Sequence, residues 1–238
     1  MGLPATAARA VFYRAGGLVI RAVILDWDGT VSDSRAIIVE ALRRALEEAG
    51  APLQPEEKLA SIIGLSLPQA MATLIPEGDR ALHQRAGEGY KHHFRLLSQG
   101  GVPLFPGVLE SVKRLAEAGY RIGVATGKSR AGLDRALHET GLGAYVAASR
   151  CSCECPSKPD PAMLYEVLAE LDVAPAHAAM VGDTTYDMAM GRSAGTRLLA
   201  VTYGVHPPEM LAPYLPEMWL ETPARLAEAI LEMQTPSS

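Results

Sequence analysis

Cysteine is scarce in this chain, and the three present sit together in Cys151-Ser152-Cys153-Glu154-Cys155. An odd number in one cluster does not build the disulfide framework of a small secreted fold, so a reducing, cytoplasmic setting is expected. There is no excess of positive charge either. The 22 basic residues are outnumbered by 27 acidic ones, giving a net charge of −5 with both signs spread along the chain. That argues against a nucleic-acid-binding surface, while leaving room for a local basic pocket that holds a small anion. No apolar run approaches the roughly 20 residues a membrane helix needs, so no membrane partner is expected. The first twenty residues hold arginines but no acid. They suit an organelle-targeting segment or, more plainly, a short extension or a start placed too early, and the plain extension over 1–20 is the expectation.

What is present suits a packed core. Apolar residues make up 48% of the 238, enough for one large domain and a smaller one. Arg21 to Asp26, "RAVILD", reads as a buried strand that stops at an acid. Asp33 or Ser34 can cap the helix that follows, whose apolar positions recur at helical spacing from Ala36 to Gly50. The stretch from Pro55 to about Ser98 stays helical in pattern, with no strand-like run. From Gly101 the rhythm changes to strands alternating with helices: "YRIGVATG", "AYVAAS", "AAMVGD" and "TRLLAVTYG" as strands, "LESVKRLAEAG", "SRAGLDRALHETG", "DPAMLYEVLAELDV" and "ARLAEAILEM" as helices. The expected fold is therefore α/β with a mostly parallel sheet. A Rossmann-like core is expected over 21–33 and 101–238, with a helical cap inserted at 34–100.

Chemistry collects at the strand ends, where open parallel sheets bind their ligands. The first strand runs into "ILDWDGT", which places Asp26 and Asp28 one residue apart. Two such carboxylates repel, and a divalent cation or a shared proton is the usual compensation. Further on, Thr126-Gly127 in "VATGK", Lys158 in "SKPDP", and Asp183 and Asp187 in "GDTTYD" complete the set. Carboxylates suit Mg²⁺, whereas a threonine, backbone N–H groups and a lysine suit a phosphate. Together they describe a phosphoryl-transfer site in which an aspartate can act as the nucleophile.

These four motifs, in this order and each at a strand end, resemble those of the haloacid dehalogenase-like hydrolase superfamily from about Arg21 onward. The resemblance is nearest to the phosphoglycolate and sugar-phosphate phosphatases with a helical cap. It implies a Mg²⁺-dependent phosphatase acting on a small phosphorylated metabolite. Asp26 would be the nucleophile and Asp28 the general acid, then base. Thr126 and Gly127 would hold phosphate oxygens, and Lys158 would neutralise charge on the phosphate and on Asp26. Asp183 would bind Mg²⁺ with Asp26 and the carbonyl of Asp28, with Asp187 just behind. In the cap, the glycine-centred loop Gly64, Leu65 and Ser66 would face the site and help choose the substrate. The resemblance also implies a turn at Gly29, a loop fixed by Thr30 and Trp27 packed beneath the site.

Asp28 favours a phosphate ester over the halide chemistry that names the superfamily. A phosphosugar mutase and a non-catalytic binder of a phosphorylated ligand or a protein are the alternatives, and either a monomer or a homodimer is compatible. Lys128 reads either as facing the substrate or as an exposed loop lysine. Ser129 reads as a helix cap. His92 and His93 read as helix surface, and Met71, Met163, Met180, Met188 and Met190 as core filling. A zinc site would need a fourth ligand that the cysteine cluster lacks.

Overall fold

The computed structural model describes residues 19–233. The expected N-terminal extension falls mostly on residues 1–18, outside the described residues. Val19 and Ile20, ahead of Arg21, already pack against the core: Ile20 is fully buried and the Nδ1 of His177 bonds the carbonyl of Val19 at 2.8 Å.

Among the described residues, the strands are β1 (Ala22–Leu25), β2 (Arg121–Thr126), β3 (Val146–Cys151), β4 (Ala178–Gly182), β5 (Arg197–Val201) and β6 (Met218–Leu220). They form one sheet in the order β3-β2-β1-β4-β5-β6, with every pairing parallel. The apolar sequence of β1 follows from this central place. Val23 and Leu25 enter the core on one face of the sheet, Ala22 and Ile24 the core on the other, as the alternation of side chains along a strand requires. The order reverses between β1 and β4, so a crevice opens at the carboxyl ends of those two strands.

The first four helices after β1 form a group of their own: α1 (Arg35–Glu48), α2 (Glu56–Ala60), α3 (Leu67–Leu74) and α4 (Arg80–Leu97). Their apolar faces form a separate cluster around Leu42, Leu46, Leu59, Met71 and Leu74. Two sequence details shape this group. Asp79 caps α4 by accepting from the Leu82 N–H at 2.8 Å. Gly89 lets α4 lie close to α1, because a Cβ there would stand 3.4 Å from Ala45. The remaining helices are α5 (Val108–Glu117), α6 (Arg130–Thr140), α7 (Ala162–Glu170), α8 (Thr185–Ala194), α9 (Pro208–Leu211) and α10 (Leu226–Glu232).

The chain leaves and rejoins the sheet through two segments that pair with each other. The Asp33 N–H donates to the Pro103 carbonyl at 2.9 Å and the Phe105 N–H to Val31 at 3.1 Å. Ser32 bridges Leu104 on one side and Asp28 on the other.

Several local readings change. The third strand does not stop at Ser149 but runs on to Cys151, whose side chain is fully buried. Three elements had no counterpart in the sequence reading: α8, the four-residue α9 and β6. The helix α8 buries Asp187, Met188, Met190, Gly191 and Ala194, so it lacks a clear polar face. The strand β6 is only three residues long, too short for an alternation to show. Ser34 occupies the cap position of α1, but its hydroxyl makes no capping bond. Ser129 does cap α6, accepting from the Gly132 N–H at 3.2 Å. All five methionines read as core filling are buried.

Candidate active site

The crevice between β1 and β4 gathers the acids. Asp26 follows β1 directly, Asp183 follows β4, and Asp187 lies in the first turn of α8. Each is essentially buried, and one carboxylate oxygen of each lies within 4.8 Å of the others. Lys158 enters from the segment before α7 and is also fully buried. Its Nζ donates to Asp26 Oδ1 at 2.5 Å and to Asp187 Oδ1 at 2.6 Å.

Each acid is held by its neighbours. Asp183 accepts from Thr30 Oγ1 at 2.7 Å and from the Val205 N–H at 2.8 Å. Asp187 Oδ2 accepts from the Thr184 N–H at 3.0 Å and from its hydroxyl at 2.6 Å, and the Asp187 N–H donates back to Thr184 Oγ1 at 3.3 Å, which closes a capping box at the start of α8. Asp26 Oδ2 is buried with no hydrogen-bond partner. Gly29 is required twice over in the turn. Its φ of +85° is a conformation L side chains avoid, and a Cβ there would overlap the Asp183 carboxylate.

One lysine against three buried carboxylates leaves the cluster negative. Burial, and then the charge of Asp187, push the Asp26 carboxyl well above its ordinary range against the pull of Lys158. The same two causes raise Asp183 to about 7. Burial pulls Lys158 down, but the charges of Asp187 and Asp26 outweigh it and hold the ammonium above its usual range. An unpartnered buried oxygen and uncompensated carboxylates are what a divalent cation with hard oxygen ligands would satisfy. The donor set of Asp26, Asp183 and Asp187 therefore fits a metal ion.

Asp28 points elsewhere. Its side chain is outside the acidic trio and accepts from Lys128 Nζ at 2.8 Å. Lys128 is thus not an exposed loop lysine; only 12% of its side chain is accessible, and its ammonium also lies 5.1 Å from the centre of the Phe94 ring on α4. Thr126 ends β2, fully buried, and its Oγ1 accepts from the Lys128 N–H at 3.2 Å. Trp27 is buried in the core on one side of the sheet.

The loop Gly64-Leu65-Ser66 reaches the same place from the inserted helices. A Cβ on Gly127 would stand 2.7 Å from the carbonyl oxygens of both Gly64 and Leu65, so backbone meets backbone there. The Ser66 N–H donates to Ser157 Oγ at 2.9 Å, one residue before Lys158. The contact is extended by residues the sequence reading passed over. Tyr186 donates its hydroxyl to the Ser61 carbonyl at 3.0 Å. His206 accepts from the Thr185 N–H at Nδ1, at 3.1 Å, which leaves Nε2 to donate to the same Ser61 carbonyl at 3.3 Å. Burial lowers the pKa of His206 and favours that neutral ring. A tyrosine inside "GDTTYD" was in view; nothing in "YGVHPPEM" singled out its histidine.

The cysteines are free thiols. Burial raises Cys151 to about 12 and Cys155 to about 11, which makes both poor nucleophiles at neutral pH. Among the described residues they join no cluster of metal-ligating side chains. His92 is exposed, and His93 Nε2 meets Glu48 of α1 at 2.7 Å, so neither reaches the site.

Residues 23–201 match the family described as haloacid dehalogenase-like hydrolase, and the chain belongs to that family. Among individual proteins, it is 32% identical over 221 residues to the probable phosphatase IndB of Dickeya dadantii, covering 90% of this chain and 96% of that one. It is also 32% identical to the plasmid-encoded phosphoglycolate phosphatase of Cupriavidus necator, covering 87% and 96%. Its fold is similar to the crystal structure of a hydrolase from Pseudomonas syringae, with a TM-score of 0.82 at 20% identity over 90% of this chain and all of that one.

Proposed function

We propose that this chain is a Mg²⁺-dependent phosphatase that hydrolyses a small phosphate monoester through an aspartyl-phosphate on Asp26. The observation that carries this reading is the free, buried Oδ2 of Asp26, set among acids that a single lysine cannot neutralise. That oxygen is the one side-chain atom of the cluster available to attack phosphorus. Family membership and the two phosphatase relatives support the same chemistry.

The residues then take these roles. Asp26 Oδ2 forms a bond to phosphorus as the ester P–O bond breaks. The departing oxygen takes a proton from Asp28. Water then returns a proton to Asp28 as its oxygen attacks the aspartyl-phosphate, which releases phosphate and restores the Asp26 carboxylate. Thr126 and Gly127 bind phosphate oxygens, and Lys158 balances charge on the phosphate and Asp26. Asp26, Asp183 and the Asp28 carbonyl hold Mg²⁺, with Asp187 supporting them; when bound, the ion neutralises the carboxylates and the charge on the phosphate. Residues 34–100 act as a cap over the site, and Gly64, Leu65 and Ser66 form the edge that meets the substrate.

The test is phosphate release from a panel of monoesters, phosphoglycolate and sugar phosphates included, with Mg²⁺ or chelator, beside Asp26→Asn. Release that needs the metal and disappears in the variant is expected. A folded protein that binds these esters but never releases phosphate would instead be a binding relative, and transfer of the phosphoryl group to a second hydroxyl of the sugar would make it a mutase.

A further inference from the structure

A cavity of about 880 Å³ begins at Asp28, Gly127 and Lys128 and runs between the sheet and the inserted helices. Its walls beyond the reacting end are largely apolar. Leu65 and Leu67, with the rings of Tyr90 and Phe94, border it, as do the buried Leu42 and Met71. Pockets of 300–1,000 Å³ ordinarily enclose drug-sized ligands, so a two-carbon acid would leave most of this space to water. The lysine nearest the reacting end is already engaged by Asp28 and the Phe94 ring. Arg80, Gln84, Glu88, Lys91, Arg95 and Arg135 also border the cavity, at exposed positions, and half-buried His83 is engaged by the Ile75 carbonyl at 2.8 Å.

One residue sets the space. Gly87 lies in the middle of α4, is buried and borders the cavity. Glycine is a poor choice inside a helix, which calls for a reason at the site. Two places on, Gly89 has one in the close approach of α1. Gly87 has none of that kind. A Cβ there would meet Leu67 at 3.6 Å and Met71 at 3.8 Å, ordinary contacts that exclude nothing, and its φ is not in the left-handed region. What the missing side chain leaves is room beside Leu67 and Met71.

We infer that Gly87 is a specificity-determining position and that the substrate is a phosphate monoester whose leaving alcohol carries a large apolar body, an alkyl chain or an aromatic ring, in place of a short acid. The inference rests on the phosphatase reading above. The ester phosphate sits at Asp26 and Thr126, and the body of the alcohol extends past Asp28 and Lys128 along Tyr90, Phe94 and Leu67 to Gly87.

The experiment compares kcat/KM for methyl, butyl, hexyl and 1-naphthyl phosphate and for phosphoglycolate, with Mg²⁺, in the native chain, Gly87→Ala and Gly87→Leu. Burying a methylene is worth about a threefold to fourfold gain, so kcat/KM should climb steeply from methyl to hexyl. Hexyl and naphthyl phosphate should then surpass phosphoglycolate. Gly87→Leu should lower the hexyl-to-methyl ratio at least about tenfold, as the lost room of two or more methylenes implies, with Gly87→Ala between. A flat chain-length series, a preference for phosphoglycolate, or a ratio unmoved in Gly87→Leu overturns the inference while leaving the phosphatase reading intact. No release from any ester defeats that reading, and this inference with it. Circular dichroism and Tm separate misfolding of Gly87→Leu from these outcomes, and a misfolded variant passes the test to Gly87→Ala and the chain-length series.

Discussion

Replacing Gly127 with alanine isolates the contact between the inserted helices, the cap of the reading proposed above, and the end of the sheet. The backbone at Gly127 is not left-handed, so alanine adds no conformational strain of its own. The new methyl would instead stand 2.7 Å from the carbonyl oxygens of Gly64 and Leu65, against 3.4 Å or more for an ordinary contact. The loop must therefore retreat by about 0.7 Å, and carbonyl backbone cannot rotate away as a side chain would. Forcing an extra methyl into a close-packed place costs about 1–3 kcal/mol. Here the protein has a simple escape, which is to lift residues 61–66 and open the cap. If that is the route, the equilibrium constant for closure falls by about 5- to 150-fold, and kcat/KM falls with the closed population that remains. The fold of the sheet should be untouched, because Gly127 lies beyond the end of β2. Steady-state phosphate release, paired with hydrogen exchange over residues 61–66, reads both effects. Faster exchange confined to that loop together with reduced kcat/KM is the expected pair. Unchanged exchange and unchanged kcat/KM would refute the idea that backbone contact at Gly127 sets cap closure.

Lys158→Met should lower stability by about 3–5 kcal/mol in urea titration, because it leaves three buried carboxylates with no counter-charge. In chelator, the metal-free protein should lose Tm as pH rises. Asp183 is held at about 7 in the folded chain, against about 3.9 for a free aspartate. The folded state thus binds the proton more tightly, and that stabilisation is full below about pH 4 and lost as pH passes 7. A chelated sample whose Tm climbs steadily from pH 5.5 to 8 contradicts this, and saturating Mg²⁺ should flatten the trend. Tyr186→Phe removes one of two hydrogen bonds to the Ser61 carbonyl, about 0.5–1.5 kcal/mol of cap contact, and should speed exchange near residue 61 without moving the urea midpoint of the sheet. Gly87→Ala should stabilise α4 by up to about 1 kcal/mol and raise Tm by about 2–4 °C.

The site was legible because its residues lie next to strand ends in sequence. Asp26, Thr126 and Asp183 each follow an apolar run that could only be a buried strand, and a parallel sheet brings such ends together whatever their separation. Lys158 and Asp187 were found through motif wording rather than periodicity. What escaped was set by tertiary contact. Ser61, Tyr186 and His206 meet across the boundary between inserted helices and sheet, and no spacing within one element encodes that meeting. The helix α8 escaped for a related reason: it buries an aspartate beside its methionines, and its exposed residues, Arg192 and Ser193, come only near its end, so the polar stripe by which helices are recognised is weak, although Thr184 and Asp187 already spelled its capping box. Lys128 hung between two readings because its partners, Asp28 and Phe94, are 100 residues away in sequence or on another element.

The paired segments that carry the chain out of the sheet and back have a mechanical consequence. Two extended stretches fastened by hydrogen bonds at Asp33–Pro103 and Val31–Phe105 yield to bending across their plane far more readily than to shearing along it. They therefore allow the helices above them something close to a single swing. Between those two bonds lies Ser32, which bridges Asp28. In the mechanism proposed above, flexing there would displace Asp28 along with residues 34–100, whereas Asp26, anchored to β4 through its N–H bond to the Val181 carbonyl, would stay put. Under that proposal, proton delivery and enclosure would be geared to one movement, and an ester held beneath half-raised helices would meet Asp26 before it meets Asp28.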